Sequence, residues 1–125
     1  MLLVLAAAGC GGGSHNAPIV VVTTTATPTA AADCLNSDAF LVEAAGTQIT
    51  GSSPGGINFT VTFHTSPAAA AVALAHLNRV YAVEMAAAVV DDAGNPPLHR
   101  GGTPMRLSPD ELATLRLCIE IHRPG

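Results

Sequence analysis

Apolar and polar residues alternate most clearly between Ile57 and Thr65. Three large apolar residues share one face of this segment, and the other face carries the polar residues Asn58, Thr60, Thr62 and His64. A period of two with aromatic and β-branched residues is typical of a strand that buries one face. A weaker alternation over residues 39–45 predicts a second strand, and the Gly- and Ser-rich segment 51–56 between the two is a loop by composition. We expect these two strands to form a hairpin.

A helix is predicted to begin at Ser66-Pro67, where serine provides an N-cap and proline fits the first turn. Apolar residues then recur at helical spacing, and we end the helix near Arg79 because its register would otherwise bury Glu84. Residues 83–90 follow as an apolar strand, closed by the polar turn 91–95. The alternative is a single helix that continues to Val90.

A second helix is predicted to begin at Ser108, because Ser108 and Glu111 have the spacing of a capping box with proline at the first helical position. Residues 118–121 then form a short final strand. The element order is therefore β-β-α-β-α-β. This order predicts an α+β fold in which a small, mostly antiparallel sheet carries two helices on one face.

Charged residues begin at Asp33, and the 32 residues before it contain no Asp, Glu, Lys or Arg. Residues 11–32 are rich in Gly, Thr and Pro, which predicts a disordered tether ahead of a single domain at 33–125. The apolar run Ile19 to Val22 interrupts this tether. It is either a part of the tether or a short edge strand that docks on the domain.

The chain opens with a short apolar run, Leu2 to Ala8, which is too short to cross a bilayer as a helix and fits the centre of a signal peptide. It leads into Ala7-Ala8-Gly9-Cys10, which resembles the lipobox of bacterial lipoproteins. The basic segment that precedes the apolar run in that family is missing, which indicates a start codon further upstream. The resemblance implies that residues 1–9 are removed, that Cys10 is lipidated, and that the protein is held at the cell membrane, facing the extracytoplasmic side.

Three cysteines are present, and lipidation of Cys10 would leave Cys34 and Cys118 as an even pair. Export places this pair in an oxidising compartment, so we predict a disulfide between them. It would close a loop of about 85 residues and stabilise the domain by roughly 4 kcal/mol. The alternative is two buried free thiols.

The segment from Gly51 to Gly55 matches G-x-S-x-G, the nucleophile motif of α/β-hydrolases, with Ser53 at the centre. The motif needs a strand-to-helix turn, whereas here it lies between two predicted strands. Pro54 also lacks the N–H group that the residue after the serine contributes to an oxyanion hole. We therefore predict no catalytic residue and expect Ser53 to be dispensable for function.

Neither the histidines nor the adjacent acids indicate a metal or catalytic site. His15 lies in the tether, and the other four are dispersed without an i, i+4 pair: His64, His76, His99 and His122. Asp91 and Asp92 are neighbours, and neighbouring residues of a strand point to opposite faces. We assign them to turn chemistry and predict no metal and no cofactor.

The net charge is −4 and the chain contains no lysine, which argues against binding to nucleic acid. The polar face formed by Asn58, Thr60, Thr62 and His64 is the candidate binding surface. Together these features predict a non-enzymatic binding or scaffold domain on a lipid anchor. The alternative is a small-ligand or metal-binding accessory domain of an envelope or transport system. Its partner would be the membrane, through Cys10, and an envelope protein or small ligand.

Overall fold

The structure is a computed structural model that describes residues 21–124. It contains three helices, a five-stranded antiparallel sheet and a two-stranded sheet, so the predicted α+β class is confirmed. The helices are α1 (Pro28–Ser37), α2 (Pro67–Ala75) and α3 (Pro109–Ile119). The strands are β1 (Val21–Thr25), β2 (Leu41–Ala45), β3 (Gln48–Ser52), β4 (Asn58–Phe63), β5 (Ala82–Met85), β6 (Ala88–Asp91) and β7 (Glu120–Pro124).

Each helix begins with a hydroxyl N-cap and a proline in its first turn. The capping side chains are those of Thr27, Ser66 and Ser108, and each accepts a hydrogen bond from the N–H three residues later. This arrangement satisfies backbone donors that have no partner inside the helix. The starts predicted at Ser66 and Ser108 are confirmed. The helix that begins at Pro67 ends at Ala75, one turn earlier than predicted.

The five-stranded sheet has the order β2-β3-β4-β6-β5 and buries one face under α1 and α3. The core on this face contains sheet residues such as Ile49, Val61 and Val90, together with Leu35 of α1 and Leu115 of α3. All five are almost completely shielded from solvent. Alternation along β4 therefore places its apolar residues in the core and its polar residues on the opposite face.

Helix α2 lies on the opposite face of the sheet, where Ala70 and Leu74 pack against Ala82 and Val89. The expected layout placed both predicted helices, now α2 and α3, on one face. The difference arises because this face of β5 and β6 contains the apolar residues Ala82 and Val89, which α2 buries, whereas the same face of β3 and β4 carries mainly polar residues. Helix α2 covers only the apolar end of that face.

The ordered domain begins earlier than predicted, because residues 21–32 form β1 and the start of α1. Strand β1 pairs with β7 at the opposite end of the chain, from Val21 opposite Pro124 to Thr25 opposite Glu120. The apolar run from Ile19 to Val22 was interpreted either as tether or as an edge strand. For Val21 and Val22, its described residues, the strand is correct. The low-complexity composition of 23–32 suggested a tether, but three of its alanines, Ala26, Ala31 and Ala32, are buried.

Strand β3 was missed in the sequence analysis, and its presence separates the two strands that were expected to form a hairpin. Strands β2 and β4 do not pair with each other; β3 lies between them and is antiparallel to both. Its sequence holds one large apolar residue, Ile49, and Gly51. Gly51 was assigned to a loop, yet a Cβ atom there would collide with the backbone of Leu41 and Val42. This glycine permits the close approach of β2 to β3.

Residues 83–90 are strand and not helix, but they form a hairpin instead of one strand. Strands β5 and β6 are joined at Ala86-Ala87, and Ala86 has a φ of 52°. Alanine carries no turn signal, so the sequence pattern did not reveal this reversal. The chain then folds β-α-β-β-β-α-β-β-α-β, with the final strand at β7.

Candidate functional site

A groove of about 710 Å³ lies on the open face of the five-stranded sheet, beside α2. Its floor is formed by side chains of β3, β4 and β6, and its wall by Ala73 of α2 and by Leu77, which follows the end of that helix. We call it the polar groove. Its polar lining residues are Gln48, Thr50, Asn58, Thr60, Thr62, His64 and Asp91.

All four residues of the predicted binding face line the polar groove: Asn58, Thr60, Thr62 and His64. They share a face because β4 continues its alternation through His64. Asn58 is exposed and the other three are half-buried, so their side chains remain accessible beside the α2 wall. Their role in binding stays a prediction.

Strand β3 extends the polar floor. Thr50 lies directly opposite Thr60, and Gln48 lies directly opposite Thr62. The Gln48 amide donates a hydrogen bond of 3.3 Å to the Thr62 hydroxyl, which orients both groups along the floor. Hydroxyl and amide groups on adjacent strands thus form a continuous hydrogen-bonding surface.

The charge of the polar groove is low. Among its lining residues in the described part of the chain, Asp91 is the one acid and none is arginine. The Asp91 carboxylate accepts a hydrogen bond of 2.8 Å from the N–H of Ala93, which holds it at the groove end of β6. Five apolar residues also line the groove: Phe59, Ala73, Leu77, Val89 and Ala93. Phe59 and Val89 are buried, so Leu77, which is 41% exposed, is the largest accessible non-polar side chain. This lining is suited to hydroxyl-bearing ligands without phosphate or carboxylate groups.

Asp91 and Asp92 point to opposite sides of the sheet, as predicted. Asp92 is 2% exposed, and its carboxylate accepts a hydrogen bond of 2.8 Å from Leu107 N–H and contacts Arg106 Nε at 3.3 Å. It therefore holds the segment before α3 against the sheet. Asp92 is more than a turn residue, which the sequence interpretation did not anticipate.

Ser53 is buried, and its surroundings are structural. Its hydroxyl accepts a hydrogen bond of 3.2 Å from Ile57 N–H, and its backbone N–H bonds the carbonyl of the same residue. The loop that contains Ser53 is fixed to α3 by Glu111, whose Oε2 accepts from Gly55 N–H at 2.9 Å. These contacts make Ser53 a part of the loop framework, so the expectation that it is dispensable does not extend to stability.

Glu111 was recognised only as a capping residue, and it has a second role. Its Oε1 accepts from Ser108 N–H at 3.0 Å, which completes the predicted capping box, while Oε2 binds the β3–β4 loop. Burial raises the pKa of Glu111, but hydrogen bonds from Ser108, Ser53 and Gly55 outweigh it, so the pKa lies below its usual value.

Asn95 is a further residue whose role was missed. It is 5% exposed, and its side chain bonds both backbone groups of Asn58: Oδ1 accepts from the N–H and Nδ2 donates to the carbonyl, each at 2.8 Å. Nδ2 also donates to the carbonyl of Asp92. Asn95 thereby fixes the first residue of β4 at the groove. A Gly-Asn-Pro-Pro sequence signals only a turn, so no pattern could have indicated this long-range clamp.

Cys34 of α1 and Cys118 of α3 pair in the structure, with Cα atoms 5.6 Å apart in a disulfide. The prediction of this pair is confirmed. Cys10, the predicted lipidation site, lies outside the described residues.

Potential metal ligands gather at one place within residues 21–124, where Cys34, Cys118 and Asp38 have ligand atoms close together. The two sulfur atoms are already joined to each other, so this grouping is a disulfide with a neighbouring acid. The four histidines of the described chain do not form a cluster with other ligands. None of the helices in that part of the chain is both long and apolar enough to cross a membrane.

Comparison with protein-family models, curated proteins and solved structures gives no match for this chain.

Proposed function

We propose that this chain is a membrane-anchored extracytoplasmic lipoprotein, and that its folded domain binds a small polar ligand without converting it. The observation that carries the binding role is the polar groove, in which seven polar side chains from three adjacent strands converge beside an apolar helix wall. A concave surface with a few convergent polar groups is the usual form of a ligand site. A scaffold domain for an envelope protein is the second candidate, and it would not require such a groove.

The export half of this proposal is supported by the cysteines. The pairing of Cys34 with Cys118 leaves Cys10 as the odd cysteine, inside the lipobox-like segment. Disulfides persist mainly in oxidising compartments outside the cytoplasm. The long-range disulfide and the lipobox-like cysteine are therefore both consistent with export of the protein from the cytoplasm.

The class of ligand follows from the groove lining. Threonine hydroxyls and the amides of Gln48 and Asn58 both donate and accept hydrogen bonds, as sugar hydroxyls and acetamido groups require. The absence of arginine from the lining residues disfavours phosphorylated or carboxylated ligands. Leu77, which is 41% exposed, provides contact for the C–H face of a sugar ring. We assign the groove to a neutral, hydroxyl-bearing ligand such as an oligosaccharide.

This assignment is tested by calorimetric titration of the full-length protein in nanodiscs with chitotriose. Thr60→Val and Thr62→Val preserve side-chain shape and remove a hydroxyl, so each should weaken binding about tenfold, the effect of one hydrogen bond of about 1.4 kcal/mol. The matched control is Thr114→Val, because Thr114 is equally half-buried but lies on α3, outside the groove. No binding of chitotriose, or equal weakening by the control, would contradict the assignment.

Lipidation is tested separately by intact mass of the membrane fraction, with the gene expressed together with its genomic upstream sequence. The expected mature chain begins at Cys10 and carries a diacylglyceryl group. A Cys10→Ser variant should lose both the cleavage and the membrane association. Soluble wild-type protein that retains residues 1–9 would show the lipoprotein assignment to be wrong.

A further inference from the structure

A second groove, of about 560 Å³, runs along the outer face of α3, away from the polar groove. It is lined by Pro109, Leu112, Ala113, Arg116, Leu117 and His122, and we call it the apolar groove. The five helical positions follow the i, i+3, i+4, i+7, i+8 spacing of a single helix face. Leu112 contacts the core from this face, whereas Leu117 is 79% exposed. The face therefore presents apolar side chains that no other part of residues 21–124 covers.

The apolar groove is continuous with Val21, the first described residue. Thr23 lies opposite His122 in the two-stranded sheet, and their side chains bond at 2.9 Å, so both occupy the groove side of that sheet. Because alternate residues of a strand share a face, Val21 lies on the same side, and it is 57% exposed. The exposed apolar surface thus extends from Leu117 to Val21.

We infer that the apolar groove and Val21 rest on the lipid bilayer. This inference depends on the proposed lipid anchor at Cys10. Ten residues separate Cys10 from Val21, and they span at most about 40 Å from one Cα atom to the other. Val21 therefore lies within that distance of the membrane, and an apolar face beside it can contact acyl chains and headgroups instead of water.

The charges around the apolar groove suit one orientation on the bilayer. Arg116 flanks its C-terminal end, where a long cationic side chain can reach headgroup phosphates while Leu117 enters the apolar layer. Arg116 is paired with Glu120 at 2.7 Å, so the acid at this end is neutralised. Asp110, at the opposite end of α3, has no such ion pair among the described residues, so the C-terminal end of the helix is the one that faces lipid.

The test uses tryptophan fluorescence, because the chain contains no tryptophan of its own. Leu117→Trp places the reporter on the apolar groove. Val72→Trp is the control, since Val72 is 63% exposed on α2, which covers the other face of the sheet. Both full-length proteins are reconstituted in phosphatidylcholine vesicles, with and without brominated acyl chains, after intact mass has confirmed acylation. The Leu117→Trp protein should show blue-shifted emission and at least a threefold loss of intensity in brominated vesicles, and the Val72→Trp protein neither.

The outcomes separate the docking from the anchor. If acylated protein floats with the vesicles but brominated lipid quenches the tryptophan fluorescence of both variants only slightly and to the same extent, the docking is overturned and the lipid anchor is retained. Emission from Leu117→Trp that is blue-shifted yet unaffected by brominated lipid also overturns it, in favour of a second copy of the chain as the occupant. Protein that is not acylated overturns the lipoprotein assignment and the docking with it.

Discussion

At the scale of single residues, a few polar side chains hold distant segments together. Glu111 joins the start of α3 to the β3–β4 loop, and Asn95 joins the loop after β6 to the first residue of β4. Asp92 attaches the segment before α3 to the sheet. Within the described residues, no buried side-chain N or O atom lacks a hydrogen-bond partner. These side chains therefore fix the position of loops that carry little apolar surface.

Glu111 provides a prediction about pH. Its pKa is lower in the folded protein than the usual value, so the ionised carboxylate stabilises the fold above the unfolded pKa, and this contribution disappears as the pH falls through the folded pKa. Glu111→Gln should lower the free energy of unfolding by about 1–2 kcal/mol at pH 7. The difference between the two proteins should shrink on acidification below pH ~4.5.

Urea denaturation at pH 7 and pH 3.5 measures both quantities. Glu43→Gln is the control, because Glu43 is exposed on β2 and its substitution should change stability little at either pH. A Glu111→Gln deficit that stays the same at both pH values would show that the carboxylate charge is not what stabilises the loop and the helix cap.

At the scale of elements, the sequence predicted helix starts better than strand boundaries. Ser108 and Glu111 specify a helix start through local hydrogen bonds, so three or four residues suffice to recognise it. Strand β3 depends on neighbours: Gln48, Thr50 and Ser52 form a strand because β2 and β4 pair on either side. Helix α1 was missed although Thr27-Pro28 repeats the start signal of Ser66-Pro67, because the alanines of a Thr-rich segment give no periodic signal after it. The burial of Ala31 and Ala32 and the pairing of β3 depend on tertiary context, which a single sequence does not display.

The polar groove was likewise predictable where it depends on local sequence and not where it depends on tertiary contacts. The polar face of β4 was predictable because it lies on one regular strand, where alternation alone assigns Asn58, Thr60 and Thr62 to one side. Sheet pairing is what brings three further polar residues to this face: Gln48, Thr50 and Asp91. The α2 wall is present because α2 packs on the face of the sheet opposite α3. Local pattern thus identified the strand at the centre of the groove and could not supply its neighbours.

Strand β2 is an edge of the large sheet, and its outer side is protected by one side chain. Asn36 Oδ1 accepts from Val42 N–H at 3.0 Å, and Asn36 Nδ2 donates to the Val42 carbonyl at 3.1 Å. This amide occupies the backbone groups that another strand would otherwise use. Asn36→Ala should lower stability by about 1 kcal/mol and increase self-association through β2.

Sedimentation velocity over a concentration series, together with urea denaturation, tests this role of Asn36. Ser37→Ala serves as the control, because Ser37 bonds only the carbonyl of Asp33 within its own helix. An Asn36→Ala protein that remains monomeric at every concentration would show that the amide does not protect the edge.

At the scale of the whole molecule, the disulfide joins the two helices that cover the core. The bond between Cys34 and Cys118 links residues 84 positions apart and so closes most of the domain into one loop. For a domain of about 100 residues, which is only marginally stable, such a cross-link is a large contribution. Its removal acts mainly on the unfolded chain, which gains freedom.

Replacing both Cys34 and Cys118 with Ala should therefore lower the free energy of unfolding by roughly 2–5 kcal/mol, measured by denaturation with urea. The wild-type protein should lose a similar amount when a reductant is added, and the double variant should not respond to reductant. A wild-type protein whose stability is unchanged by reductant would show that the bond contributes nothing, or that it does not form.

The pairing of β1 with β7 determines how the domain would respond to a mechanical load applied from the N-terminal side, as the proposed lipid anchor would apply it. Val21 is the end of β1 that a pull from Cys10 reaches first, so force would separate the backbone hydrogen bonds between β1 and β7 one after another, as a zipper opens. Such unzipping needs less force than shearing all of them together. Unravelling would then pass into α1 and stop at Cys34, where the covalent link to Cys118 transfers the load to α3. Residues 21–33 would thus act as a release segment that lengthens under tension, while the strands of the polar groove stay folded inside the cross-linked loop.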